Sequence, residues 1–390
     1  MSNQNIYLDN AATSWPKPNS VYDAVDQYQR NVGVPYGRGG SAEAAAVVRA
    51  IEQLRVGLAE FINAGDPARI VFTYSGTDSL NLALHGTLRA GDHVVTTCAE
   101  HNSVLRPLTH LEQQSGGEIS VTRVPLGIDG VVAADAVIEA VEPNTRLVCV
   151  THVSNVTGAI LPAAEIGERL NTVGEDRPLF LVDAAQSLGH LPVDVRSINC
   201  DLLATPGHKG LLGPTGTGVL FVSEHAEKAL SPYRQGGTGT QSELDAQPTD
   251  MPTRFESGNH NVPGLLGMAA GLAYVRERGV DAIREHEIAL VTRLQDRMSR
   301  MPHITTYGPK SADDHVGVLS LNVAGMDPQD VAAILDSSLG VQCRSGLHCS
   351  PLIHDALGTR TLGGTLRISP GPFTTNADVD SVANLLDQLG

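Results

Sequence analysis

The sequence predicts an α/β fold, with a large domain built on a mainly parallel sheet and a smaller α+β C-terminal domain. Three observations carry this. Short apolar runs recur along the chain with helix-patterned stretches between several of them, which is the rhythm of βαβ units. The central runs are apolar almost throughout rather than alternating, as strands buried on both faces are. The chain also has 390 residues, more than one ordinary core takes up.

The N-terminal Ile6-Tyr7-Leu8-Asp9-Asn10-Ala11-Ala12 is strand-like and runs into a turn punctuated by Pro16 and Pro18, with a helix expected from Ser20. A glycine loop at 36–41 precedes a helix over 42–62, whose Val47, Ile51, Leu54 and Leu58 share one face. Residues 70–74 read as a strand, 75–78 as a tight turn and 79–88 as a helix. Strands are expected at 93–98, 147–153, 179–182, 202–203 and 218–222, with a helix over 162–172. Residues 235–261 are rich in Gly, Ser, Thr and Pro and read as irregular. A helix over 263–278 leads into strands at 316–322 and 366–369 and a helix over 327–339. The domain change is expected near residue 262, giving a large domain of 16–261 and a small one of 262–390 joined by the N-terminal segment 1–15.

A formal charge of −16 argues against a nucleic-acid partner, and no run of lysine or arginine supplies a basic face. No stretch of 18 apolar residues and no charged-then-apolar leader is seen, so no membrane span is expected and the cytoplasm is the expected location. Five cysteines at long intervals, Cys98, Cys149, Cys200, Cys343 and Cys349, do not read as a disulfide framework.

The chemistry begins where the apolar runs end. Leu179 to Val182 stops on Asp183, with Gln186 close behind, and the 202–204 run delivers Lys209 between Gly207-His208 and Gly210. A lysine can form a Schiff base with an aldehyde, and an acid can hold a pyridine nitrogen protonated, so the pair suits pyridoxal phosphate. Taken singly, Asp183 also fits a helix cap and Lys209 a surface loop. Other strand ends carry His101, the stretch Ser154-Asn155-Val156-Thr157-Gly158, and Thr205, on the sheet edge where open α/β sheets bind ligands. Ser75-Gly76-Thr77 joins a strand to a helix N-terminus, a natural anion site. The run Gly213-Pro214-Thr215-Gly216-Thr217-Gly218 is no nucleotide loop, because a strand follows it and no Gly-Lys-Ser/Thr appears.

In that order Ser75-Gly76-Thr77, Glu100-His101, Ser154 to Gly158, Asp183-Ala184-Ala185-Gln186 and Gly207-His208-Lys209-Gly210 resemble the class V, fold type I, pyridoxal-phosphate enzymes. The later Cys343-Arg344-Ser345-Gly346-Leu347-His348-Cys349-Ser350-Pro351 resembles the branch of cysteine desulfurases and selenocysteine lyases. The resemblance spans Tyr7 to Arg367 and implies a seven-stranded type of sheet and a homodimer. It implies that Lys209 anchors the cofactor and shuttles the Cα proton, that Asp183 pairs with the ring nitrogen, and that His101 stacks on the ring. Gln186 would bond the ring hydroxyl with Asn155 near the ring and substrate, while Thr77, Thr205, His208 and the Gly76 backbone would bind phosphate. Arg367 would clamp the substrate carboxylate, and Cys349 would take sulfur from L-cysteine as a persulfide, leaving L-alanine, with a sulfur-acceptor protein as a further partner. The motif departs at Asn259, where relatives often carry threonine.

Cys349 lies in a polar loop with His348 beside it and Arg344 before it, a setting that favours a reactive thiol. A zinc site from Cys343, His348, Cys349 and His354 lacks paired ligand spacing. Rival readings are a related lyase or aminotransferase acting on selenocysteine, cysteine sulfinate or another amino acid, or a non-catalytic sulfur carrier or scaffold. Intact Lys209, Asp183, His101 and Arg367 speak against the last.

Overall fold

The computed structural model describes residues 5–390 except 175, 242 and 244. Its strands in chain order are β1 (Ile6–Tyr7), β2 (Ile70–Thr73), β3 (His93–Thr97), β4 (Ser120–Val124), β5 (Thr145–Thr151), β6 (Leu179–Asp183), β7 (Leu202–Pro206) and β8 (Gly218–Val222). In the C-terminal part follow β9 (Ile304–Tyr307), β10 (Leu319–Val323), β11 (Val341–Gln342), β12 (Arg344–Gly346) and β13 (Thr365–Ile368). Seven of them form one sheet in the order β2-β8-β7-β6-β5-β3-β4. Among the described residues β8 alone runs opposite to the other six strands there, so the expected mainly parallel sheet is what forms.

The side chains of β5 and β6 show why this sheet holds. Val148, Val150, Phe180 and Val182 face one helix layer, joining Ile51 and Leu58 of the helix Ala42–Phe61. Leu147, Cys149, Leu179 and Leu181 face the other, against Leu80 and Leu84 of the helix Gly76–Thr87 and Leu108 of the helix Asn102–Gln114. Both faces are thus buried, and uninterrupted apolar runs are the sequence such strands require. The turn expected at 75–78 is instead the first turn of a helix. Ser75 caps it, its Oγ accepting the Asp78 N–H at 3.0 Å.

The small sheet, β12-β13-β10-β9, is antiparallel. Its core joins Leu319, Leu321 and Ile368 to Leu290 and Leu294 of the helix Val280–Met298 and to Leu8 from the far end of the chain. The N-terminal segment is held there by β1, which pairs in parallel with β11. The domain change expected near residue 262 falls at the start of the helix Val262–Arg278. Val262, Leu265, Met268 and Leu272 of the helix Val262–Arg278 lie in the core of the large sheet, so the chain leaves it at Gly279, where φ is +84°. Among the described residues no helix is long and apolar enough to cross a membrane.

Candidate active site

The carboxyl ends of β3, β5, β6 and β7 reach the same edge of the large sheet, where a cavity opens between the sheet, the small domain and the N-terminal segment. Asp183, the last residue of β6, is on its wall and only 4% exposed. Its Oδ1 accepts the Ala185 N–H at 2.9 Å. Burial pushes the carboxyl up, and the Ala185 amide and Lys209 pull it back. Below it Glu100 is fully buried, Oε1 accepting from Thr97 Oγ1 at 2.7 Å and from the Thr151 N–H at 2.9 Å. Burial pushes Glu100 up to about 8, which disfavours a second carboxylate beside Asp183.

Lys209 lies in the turn after β7. Flanking glycines let that turn pack tightly, because a Cβ on Gly207 would run into Thr217 and Met268, and one on Gly210 into the Leu188 carbonyl. Burial lowers the ammonium to about 8, with Asp183 opposing and Arg367 and Arg344 reinforcing the fall. His101 caps the helix Asn102–Gln114, its Nδ1 accepting the Ser103 N–H at 3.0 Å. That bond puts the ring proton on Nε2. Burial, then Lys209 and nearby arginines, lowers His101 to about 4, so the ring is neutral near pH 7.

The other side of the cavity is cationic. Arg367 on β13 is 1% exposed. It donates Nη2 to Asp9 at 2.6 Å and Nη1 to the Asn155 carbonyl at 2.9 Å, while its Nε has no partner among the described residues. Arg344 on β12 stands opposite Arg367 in the strand register, and its Nη2 lies 3.0 Å from Cys349 Sγ. At the other end the first turn of the helix Gly76–Thr87 brings Ser75, Gly76 and Thr77 to the cavity, presenting N–H groups that have no intrahelical partner. The cavity thus has free N–H groups at one end and two guanidinium groups at the other.

A family model for class V aminotransferases matches residues 6–382. The chain belongs to the class V aminotransferases. It is 36% identical to a probable cysteine desulfurase of Methanothermobacter thermautotrophicus, over 98% of this chain and 94% of the relative. It is 35% identical to a cysteine desulfurase of Enterobacter sp. strain 638, over 98% and 93%. The fold matches a cysteine desulfurase from Thermococcus onnurineus NA1 with a TM-score of 0.91 at 34% identity, covering 99% of this chain and 95% of that one. It matches the Escherichia coli cysteine desulfurase CsdA with a TM-score of 0.87 at 29% identity, covering 100% and 95%.

Nine of the eleven residues singled out in the sequence of this class V aminotransferase line the one cavity: Gly76, Thr77, His101, Asn155, Asp183, Gln186, His208, Lys209 and Arg367. Thr205 does not. It lies within β7, 2% exposed, and its Oγ1 faces the Ala184 and Pro206 carbonyls at 3.4 and 3.5 Å. Cys349 lines the adjoining outer opening, which shares Thr77, His101 and Ser103 with the cavity. It therefore sits at the mouth rather than on the wall. Gln186 spends its Nε2 on the Ala11 carbonyl at 2.8 Å, leaving Oε1 for a ligand hydroxyl. His208 is steadied by Thr13, 3.0 Å from its Nδ1.

Ser103, Thr151 and Asp9 were missed in the sequence. Ser103 Oγ bridges His101 Nδ1 at 2.9 Å and Thr77 Oγ1 at 2.8 Å. Its position in the first helical turn, two residues after a capping histidine, was the available signal. Asp9 offered none, because its partner Arg367 is 358 residues away. Burial pushes the thiols of Cys98, Cys149, Cys200 and Cys343 up. Among the described residues only Cys349 has a guanidinium hydrogen-bonded to its sulfur.

Proposed function

We propose that this enzyme is a pyridoxal-phosphate-dependent cysteine desulfurase. The observation that carries the reading is one cavity holding Lys209, Asp183, His101 and Arg367, with Cys349 at its mouth under Arg344. The names of the relatives support the substrate.

The residues fit pyridoxal phosphate. Lys209 would anchor it, Asp183 would hold its ring nitrogen protonated, and His101 would lie on the ring as a neutral imidazole. The free N–H groups at Gly76 and Thr77, with His208, would take the phosphate. When bound, the cofactor supplies an aldehyde for the substrate amine and a ring that accepts the electron pair left at Cα.

Arg367 binds the substrate carboxylate. Its buried, unpartnered Nε is a cost that a carboxylate removes. Lys209 Nζ, lowered to about 8, takes the Cα proton and can return it. The Cys349 thiolate attacks the substrate sulfur. The S–S bond forms as the Cβ–S bond breaks, the electron pair stays with carbon, and a proton completes L-alanine. Cysteine plus thiol thus gives alanine plus persulfide, with atoms and electrons balanced. The same reading makes the enzyme a cytoplasmic homodimer that passes its sulfur to an acceptor protein. The test is a product screen with cysteine, selenocysteine and cysteine sulfinate. Alanine and reducible sulfur in equal amounts from cysteine are expected, and turnover of only the other two would overturn the reading.

Two substitutions bear on the parts. Asp183→Ala is expected to cut turnover by roughly 100-fold or more, as losing a preorganised electrostatic partner does, and Asp183→Glu by less. Steady-state kinetics on cofactor-saturated protein measures both. Arg367→Lys keeps the charge but not the fork. Hydrogen bonds to charged groups contribute about 1.5–3 kcal/mol, so KM for cysteine should rise roughly 10- to 100-fold. An unchanged KM would take Arg367 out of the carboxylate site.

A further inference from the structure

Cys349 and His348 both occupy the left-handed region, with φ of +62° and +50°. Two consecutive non-glycine residues in that region cost free energy and persist only where surrounding contacts hold them. The contacts are visible on both sides of the cysteine. Asn155 Nδ2 donates to the His348 carbonyl at 2.7 Å, and Asn155 Oδ1 accepts from Ser350 Oγ at 2.6 Å. Both ends of one buried amide therefore bracket Cys349. The Cys349 carbonyl is itself taken by the Asn102 N–H at 2.7 Å, at the start of the helix that His101 caps.

We propose that Asn155 is a positioning residue for the sulfur nucleophile, holding the 348–350 turn so that Cys349 Sγ stays under Arg344 at the cavity mouth. This rests on the reading of Cys349 as the nucleophile. It gives Asn155 a task besides the ring and substrate contacts the resemblance implies, because one Nδ2 hydrogen and Oδ1 hold the turn while the amide's second hydrogen stays available. Asn155 also connects the turn to the carboxylate clamp, since its carbonyl accepts Nη1 of Arg367. A substrate carboxylate drawn to Arg367 thus acts on the segment that fixes Cys349.

The test compares holoenzyme of the wild type with Asn155→Ala and Ser350→Ala, each checked for folding and cofactor content. In Asn155→Ala, hydrogen exchange of the peptide carrying Cys349 should rise, and sulfur gain on Cys349 should slow with kcat falling roughly 10- to 100-fold, as small misplacements of a reacting group do. KM for cysteine should change by a smaller factor than kcat, because the Arg367 side chain is untouched. Ser350→Ala removes one of the two bracket bonds and should give a smaller change of the same kind, which keeps the proposal testable should Asn155→Ala fold poorly. A raised KM with unchanged kcat and unchanged exchange would make Asn155 a substrate contact and overturn the proposal. Wild-type protein that gains no sulfur on Cys349 would instead overturn the nucleophile reading beneath it. That outcome is read by peptide mass spectrometry, independently of the exchange data.

Discussion

Replacing Lys209 with alanine is expected to leave a folded protein that binds pyridoxal phosphate only reversibly and turns over no measurable cysteine. The amine both anchors the cofactor and moves the Cα proton, so losing it should lower kcat by roughly 1,000-fold or more. Packing should not suffer. Lys209 is half-buried, and desolvation holds its pKa near 8 instead of 10.5, which means that the fold disfavours the charged form. Between those values the unfolded chain binds the proton and the folded chain does not, so this group costs stability as pH falls from 10.5 towards 8. Cofactor-free Lys209→Ala should accordingly melt no lower than the cofactor-free wild type at pH 7.5. The same shift gives a pH profile. Capture of pyridoxal phosphate by cofactor-free wild type needs the neutral amine, so its rate should climb through about pH 8 and level off well below pH 10. A midpoint at the ordinary lysine value, or a retained visible band in Lys209→Ala, would remove this lysine from the role.

The second large effect is expected at Cys349. Cys349→Ala should still bind cofactor and cysteine, because the amine, Asp183, His101 and Arg367 all lie on the cavity itself. Sulfide release should nevertheless fall below roughly 1% of wild type, since breaking the Cβ–S bond of a thiol substrate needs a nucleophile at sulfur. Wild-type protein given cysteine without reductant should gain one sulfur on Cys349, found by peptide mass spectrometry. Selenocysteine turnover can survive the substitution, because selenium leaves more readily. Desulfuration of cysteine by Cys349→Ala at the wild-type rate would end the persulfide mechanism and leave a lyase in its place.

Several helices and strands were not legible. The helix Asn102–Gln114 carries Pro107 within it, which breaks the expected pattern. The short strand β12 takes its stability from long-range packing, so local sequence marks it weakly, whereas the helix Asn376–Asp387 has a capping box at Thr375 and Asp378 that local sequence does carry. The irregular stretch that ends near 261 looks like a boundary, yet the helix after it packs on the large sheet. What decides membership is the apolar face that the next helix turns to the large sheet.

The sequence alone determined the α/β class and the residues that wait at the strand ends. Strands buried on both faces are mostly apolar, so an Asp183 ending such a run, or a His101 or Lys209 just beyond one, stands out wherever the chain is read. Tertiary structure decided the rest. It turned Thr205 into the sheet, set Arg367 against Asp9 and Asn155, brought Arg344 to Cys349, and committed both ends of the Asn155 amide to the turn around that cysteine. Except for the short Arg344–Cys349 link, these contacts join segments far apart in the chain. Which of them meet is set by how the strands cross over and pair, which no local pattern of residues records.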